Sequence, residues 1–142
     1  MVTLNWKGNR VFEAVPPSGN RFVMDAYPDS GGQDLGPTPL EVFVGAAAAC
    51  SAMDVVQIME KKRQRVTSYR VEVDGDRTEE GVYPRPYIKL VFRHILEGEN
   101  LDEAAVEQAV KLSDEKYCSA IATLRAAPEI VSEFVIHEKT PV

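Results

Sequence analysis

At 142 residues, 44% hydrophobic and 27% charged, the chain has the size of one domain and the composition of a globular protein, which excludes disordered and fibrous classes. Its 16 Lys and Arg against 22 Asp and Glu leave a net charge of -6, which repels phosphate backbones and anionic lipid, so neither nucleic acid nor a membrane surface is an expected partner. The stretch Met1–Arg10 lacks the basic flank and apolar block of an export signal, and no apolar run approaches the ~20 residues of a membrane span, so one domain over residues 1–142 and a cytoplasmic address are expected.

The first third reads as strands. Val11–Val15 and Arg21–Ala26 are short apolar runs separated by the turn signal Pro16–Asn20, and Tyr27–Pro37 collects Pro, Asp, Ser and Gly into a loop. A helix is predicted next, because Thr38, Pro39 and Glu41 supply an N-cap oxygen, a proline at the first helical position and a glutamate three residues after the cap. From Val42 to Ala52 only Gly45 and Ser51 interrupt an apolar run; from Met53 the pattern turns amphipathic, with Asp54, Gln57 and Lys61 starting a solvated stripe. The helix is expected to enter buried, leave at the surface and end near Lys62 or Arg63, spanning roughly 36 Å as a central element.

Tyr69, Val71 and Val73 alternate with Arg70, Glu72 and Asp74 as a half-buried strand, Gly75–Val82 reads as a turn, and Tyr87–Leu96 as a further strand. A second helix opens at Asn100–Glu103, with acids in its first turn, and continues through Leu112. Glu115–Leu124 can form a second short helix, and Ile130–His137 is predicted to close the chain as a strand. Strands and helices in segregated blocks predict an α+β fold with antiparallel sheets.

Two cysteines in a reducing compartment are either core filler or redox chemistry. Cys50 lies in the apolar half of the long helix and Cys118 at or just inside a helical segment of its own, a separation that excludes a local C-x-x-C motif. As small hydrophobes both belong in a core. As a peroxidatic pair, one thiolate would attack the O–O bond of a peroxide, become a sulfenic acid, and condense with the second thiol to a disulfide. That chemistry requires the two Cα atoms within about 4–7 Å and a positive group near the attacking thiol, since burial in mid-helix raises its pKa. No arginine lies near Cys50 in sequence, so a tertiary contact or a second subunit has to supply it.

The loop before Gly36–Pro39, the helix carrying Leu40, Glu41 and Ala46–Cys50, its continuation Ser51–Lys62, and Lys116–Cys118 together resemble the OsmC/Ohr family of osmotically induced and organic hydroperoxide resistance proteins. The Ser51–Val56 continuation is more similar to its OsmC-like, YhfA-type branch than to the hydroperoxide reductases. The resemblance implies an OsmC-like fold: an intertwined homodimer whose long central helices pack between sheets built from both chains. It implies that Cys50 is the peroxidatic thiol and Cys118 the resolving one, with a glutamate near the helix start and an N-terminal arginine, Arg10 or Arg21, completing the site. It further implies an organic hydroperoxide substrate and an external dithiol reductant such as a lipoyl group. The family glutamate directly follows the proline, where this chain has Leu40; its own acid is the next residue. Glu41 stands about 180° around the helix from Cys50 and roughly 13.5 Å along it, so it serves a partner subunit's site or only caps its helix.

The remaining chemistry-bearing residues read as structural. His94 and His137 fall in strands, where a Cys–His nucleophile pair is conceivable but satisfied structural or surface histidines are expected. Trp6, Tyr27 and Tyr87 could line an apolar pocket, although single aromatics are expected in a core. Paired metal-ligand spacings, a phosphate loop and a dinucleotide fingerprint are all missing, so no metal and no cofactor are expected. Two functions stay open: a thiol-dependent peroxidase, and a non-enzymatic dimer binding an apolar ligand at its interface.

Overall fold

A computed structural model describes residues 1–136. Thr3–Trp6 (β1), Phe12–Val15 (β2) and Phe22–Met24 (β3) form an antiparallel sheet in chain order. The β2–β3 hairpin turns where Pro16 to Asn20 predict it, with Gly19 N–H donating to Pro16 O at 2.9 Å. β1 was not anticipated. All four of its residues are exposed, so it carries no buried periodicity, and its existence rests on hydrogen bonds to β2 in the register Thr3↔Val15 to Trp6↔Phe12.

The loop before the long helix folds tightly back on β3. A side chain at Gly36 would collide with the Val23 backbone, and one at Gly32 with the Ala26 backbone, so only glycine permits the approach. Asp25, 1% exposed, organises the same loop: its carboxylate accepts from the N–H groups of Ala26 at 2.7 Å, Gln33 at 2.8 Å and Leu35 at 3.3 Å. The bond from Gln33 is the largest influence on its pKa, which lies below the ordinary carboxylate value despite burial.

Pro39–Lys61 (α1) starts as predicted, on a complete capping box: Glu41 N–H donates to Thr38 Oγ1 at 3.4 Å and Thr38 N–H donates to Glu41 Oε2 at 2.7 Å. It ends as predicted too, with Lys62 as C-cap. By length and composition α1 is apolar enough to cross a membrane, contrary to the sequence expectation; length and composition alone do not make it a span, and here it packs against the second sheet and the later helices. The burial order along it is reversed from expectation. Ala47, Ala48, Ser51, Val55, Ile58 and Met59 are buried, whereas Phe43, Ala46, Ala49, Met53 and Val56 are exposed, Met53 at 71%. The rest of the chain covers one side of α1 and leaves an apolar stripe on the other.

Arg65–Arg77 (β4) and Tyr87–Glu99 (β5) pair antiparallel, with Tyr69 opposite Leu96, Val71 opposite His94 and Val73 opposite Phe92. β4 continues through Gly75, where the sequence predicts a turn: a Cβ there would strike the Tyr87 ring and Leu90, so a residue chosen for close packing imitates a turn signal. Glu103–Leu112 (α2) is capped by Asp102, whose carboxylate accepts from Ala104 N–H at 3.1 Å. A π-helical turn, Ser113–Tyr117, then leads to Ser119–Ala126 (α3). The core lies where Val55, Ile58 and Met59 of α1 meet Ala109 of α2, with Tyr69 and Leu96 packed against them.

Residues 130–136, expected in a strand, carry neither helix nor strand; His137 lies outside the described residues. A strand requires a hydrogen-bonded neighbour as well as an apolar pattern, and among the described residues none pairs with this segment. Ile130, Val131, Phe134, Val135 and Ile136 are all at least 73% exposed.

Candidate functional site

The Cys118 thiol is within electrostatic reach of Cys50. α1 packs on both the π-helical turn and α3, and the two side chains face each other closely enough that Cys50 acts on the ionisation of Cys118. Both are free thiols, Cys50 half-buried and Cys118 buried. Cys118 is the N-cap of α3: its Sγ accepts from Ile121 N–H at 3.5 Å and its own N–H donates to Ser113 O at 2.9 Å. Burial pushes its pKa above the ordinary thiol value, the Ile121 N–H opposes that, and the neighbouring Cys50 adds to it. Cys118 is therefore a protonated thiol at neutral pH.

Beneath the pair is a buried polar network that sequence reading did not find. Ser113 Oγ, fully buried, lies 3.0 Å from Ser51 Oγ, 3.1 Å from Ser51 O and 3.2 Å from Asp54 Oδ2. Asp54, expected in the solvated stripe, is instead half-buried and bonded to the π-helical turn, while Gln57 and Lys61 are exposed as expected. Spacing within α1 cannot reveal a contact with a residue on the far side of the β4–β5 hairpin.

Glu41 occupies the other end of this region of α1. Its Oε2 holds the Thr38 N–H and its Oε1 accepts the Tyr27 hydroxyl at 2.7 Å. Those bonds lower its pKa, the Thr38 N–H most strongly, and the same carboxylate raises that of Tyr27. Arg10 packs over Gly31 in the loop before α1, and Arg21 approaches Glu13 at 3.5 Å. Among the described residues neither arginine bonds Cys50 or Glu41, so a single chain brings the two cysteines together without the charged groups.

A groove of about 730 Å³ opens between α1, β5 and α3, walled by Leu40, Phe43 and Ser51 of α1, Tyr87 to Leu90, Phe92 and His94 of β5, and Ile121, Leu124 and Arg125 of α3. Neither cysteine lines it; Ser51, which follows Cys50, and Ile121, whose N–H bonds Cys118, do. Of the three aromatics read as core, Tyr87 lines it, whereas Trp6 and Tyr27 are exposed. His94 Nδ1 lies 2.6 Å from the Tyr69 hydroxyl. Burial pushes Tyr69 up to about 12 and depresses His94, a shift the nearby Asp114 charge partly offsets. His94 is consequently neutral at pH 7, its Nδ1 hydrogen-bonded to the Tyr69 hydroxyl. Among the described residues no cluster of three or more His, Cys, Asp or Glu is placed to hold a metal.

The family model for OsmC-like proteins matches residues 31–133, the span from the glycine-rich loop through the helix caps and both cysteines. The chain belongs to the OsmC family. It is 37% identical to Protein YhfA of Escherichia coli K12 over 133 residues, covering 94% of this chain and 95% of that protein, in agreement with the branch suggested by the Ser51–Val56 stretch. A solved hypothetical protein from Aquifex aeolicus VF5 matches with 29% identity and a TM-score of 0.72, over 89% of this chain and 87% of its own. An OsmC-like hydroperoxide resistance protein from Jannaschia sp. CCS1 matches with a TM-score of 0.58 at 20% identity, over 97% and 93%; this likeness is one of fold. The α+β, OsmC-like architecture expected from sequence is thus the architecture of the chain.

Proposed function

We propose that this protein is a thiol-dependent peroxidase acting on organic hydroperoxides in the cytoplasm. What supports the reading is the approach of Cys118 to Cys50, with an apolar groove lined by their neighbours Ser51 and Ile121. The Cys50 thiolate attacks one peroxide oxygen; the O–O bond breaks, the alkoxide leaves and takes a proton as the alcohol, and Cys50 becomes a sulfenic acid. Cys118 then attacks the Cys50 sulfur, the S–S bond forms, and hydroxide leaves as water. Two electrons pass from the dithiol to the peroxide, and an external dithiol such as a lipoyl group returns them by exchange. The raised pKa of Cys118 supports its role as the resolving thiol, because a thiol held protonated by burial is a poor first nucleophile.

A homodimer belongs to the same proposal. The chain exposes 11143 Å², whereas a compact chain of 15.7 kDa exposes about 7,300 Å². The excess includes the α1 stripe and the apolar segment 130–136, which a second copy would cover. Glu41 and one of Arg10 or Arg21 would then act across the interface, the cation lowering the Cys50 pKa. The name of the Jannaschia relative is consistent with the reading.

The test is to add cumene hydroperoxide to the reduced protein and count free thiols. Loss of two per chain, abolished by Cys50→Ser, is the expected outcome; an unchanged count overturns the proposal. The size and apolar walls of the groove favour one second reading, a dimer that binds an apolar ligand with its cysteines as packing, and that reading predicts the unchanged count.

A further inference from the structure

Ser113 has one hydroxyl proton and three oxygens within reach, so its bonds can be assigned. The Ser51 hydroxyl, itself buried, donates to Ser113 Oγ across 3.0 Å, and Ser113 donates onward to the Asp54 carboxylate at 3.2 Å or to Ser51 O at 3.1 Å. This arrangement ties two consecutive turns of α1 to the first residue of the π-helical turn. The same residue's carbonyl accepts the Cys118 N–H at 2.9 Å. The next residue of the turn is tied separately, by Arg125 donating to Asp114 O at 2.8 Å and to Asp114 Oδ2 at 2.9 Å. The backbone that presents Cys118 is therefore fastened to the helix that presents Cys50, through Ser51, its immediate neighbour.

We propose that Ser113 is a positioning residue for the redox pair, its buried hydroxyl locking the π-helical turn to Ser51 and Asp54 so that Cys118 is held over Cys50 before any bond between them forms. Disulfide closure is intramolecular, and its equilibrium is set by the effective concentration of one sulfur at the other. A buried hydroxyl with two partners fixes that concentration more firmly than apolar contacts, because leaving those partners unpaired is costly. The inference rests on the reading of Cys50 and Cys118 as a reacting pair.

The test measures the dithiol–disulfide equilibrium in a dithiothreitol redox buffer, which needs no peroxide and so stands apart from the peroxidase assay. Two electrons and two protons pass between the protein pair and the buffer. Ser113→Ala is expected to shift the equilibrium toward the dithiol about tenfold, a potential about 30 mV less negative. Under hydroperoxide it is expected to let dimedone trap the Cys50 sulfenic acid that closure otherwise removes. Ser51→Ala and Asp54→Ala, which each remove one partner, test the same lock should Ser113→Ala not fold; Asp54→Asn, which keeps an acceptor oxygen, should lie closer to the parent than Asp54→Ala. An equilibrium unchanged in folded variants overturns the inference even if peroxide is reduced. A parent chain that stays reduced across the buffer range overturns it together with the peroxidase reading.

Discussion

Tyr27 donates its hydroxyl proton to Glu41 Oε1 at 2.7 Å while Oε2 of the same carboxylate holds the Thr38 N–H, so one exposed side chain both caps α1 and fastens the loop before it. Tyr27→Phe removes only the loop tie, whereas Glu41→Ala removes the tie and half of the capping box. Glu41→Ala should lower Tm by a few degrees and Tyr27→Phe by less. If Glu41 also serves a thiol across a dimer interface, peroxidase activity should fall in Glu41→Ala well beyond the change seen in Tyr27→Phe. Melting curves and peroxide turnover on the two variants check both parts.

The Cys118 pKa is raised, chiefly by burial, and that has a kinetic and a thermodynamic consequence. Closure of the disulfide needs the Cys118 thiolate, so its rate should keep rising roughly tenfold per pH unit past the ordinary thiol pKa of about 8.5. Folding favours the protonated thiol, so the associated stability is whole below the unfolded-state pKa and is lost as pH rises through the folded one. Stopped-flow closure rates after a hydroperoxide pulse, taken from neutral to alkaline pH, would show a plateau near the ordinary value if burial were not acting.

His94 and Tyr69 make the opposite kind of pair. The depressed His94 pKa gives stability that is present above the unfolded-state value near 6.5 and is lost as pH falls through the folded value. Tyr69→Phe leaves the half-buried Nδ1 without its hydrogen-bond partner and should cost about 1–2 kcal/mol. NMR titration of the ring should find it neutral at pH 7; an ordinary or raised His94 pKa would contradict the burial seen here.

Asp25 anchors the Ala26–Leu35 loop through three backbone N–H groups, and its pKa is held down mainly by the bond from Gln33. Its contribution is present above the unfolded carboxylate pKa and vanishes as pH falls through the folded value. Asp25→Asn keeps the volume but loses the charge, so it should lower Tm at neutral pH and flatten the acid limb of the stability profile. Urea midpoints measured from neutral to acid pH for both proteins decide this.

Met53, 71% exposed on an apolar helix, lies at the middle of the α1 stripe. A charge there should cost little in an isolated chain but be strongly unfavourable in a buried helix contact. Met53→Asp should therefore convert a dimer to a monomer in analytical ultracentrifugation. A monomeric parent, or a variant that dimerises as well as the parent, would remove the dimer from the proposed function.

Thr38, Pro39 and Glu41 are sufficient to start α1, and Asp102 to start α2, because a cap is satisfied within one turn of its own residues and the pattern is local. The alternation in Tyr69–Val73 and the apolar run through Leu96 are legible for the same reason. Sequence also isolates Cys50 and Cys118 as the two residues with redox chemistry. Their approach, the Ser113 bond to Ser51 and Asp54, and the Tyr69–His94 pair are set by how α2 and the π-helical turn return across α1 after the long β4–β5 hairpin, and no short window contains that path. β1 and the segment 130–136 go astray for a related reason: whether an extended run becomes a strand depends on a neighbouring edge that must itself be in place. Local preference thus determined the elements and the chemistry available, and packing between distant elements decided which side chains meet, because burial and hydrogen bonding act on distance in space and take no account of distance along the chain.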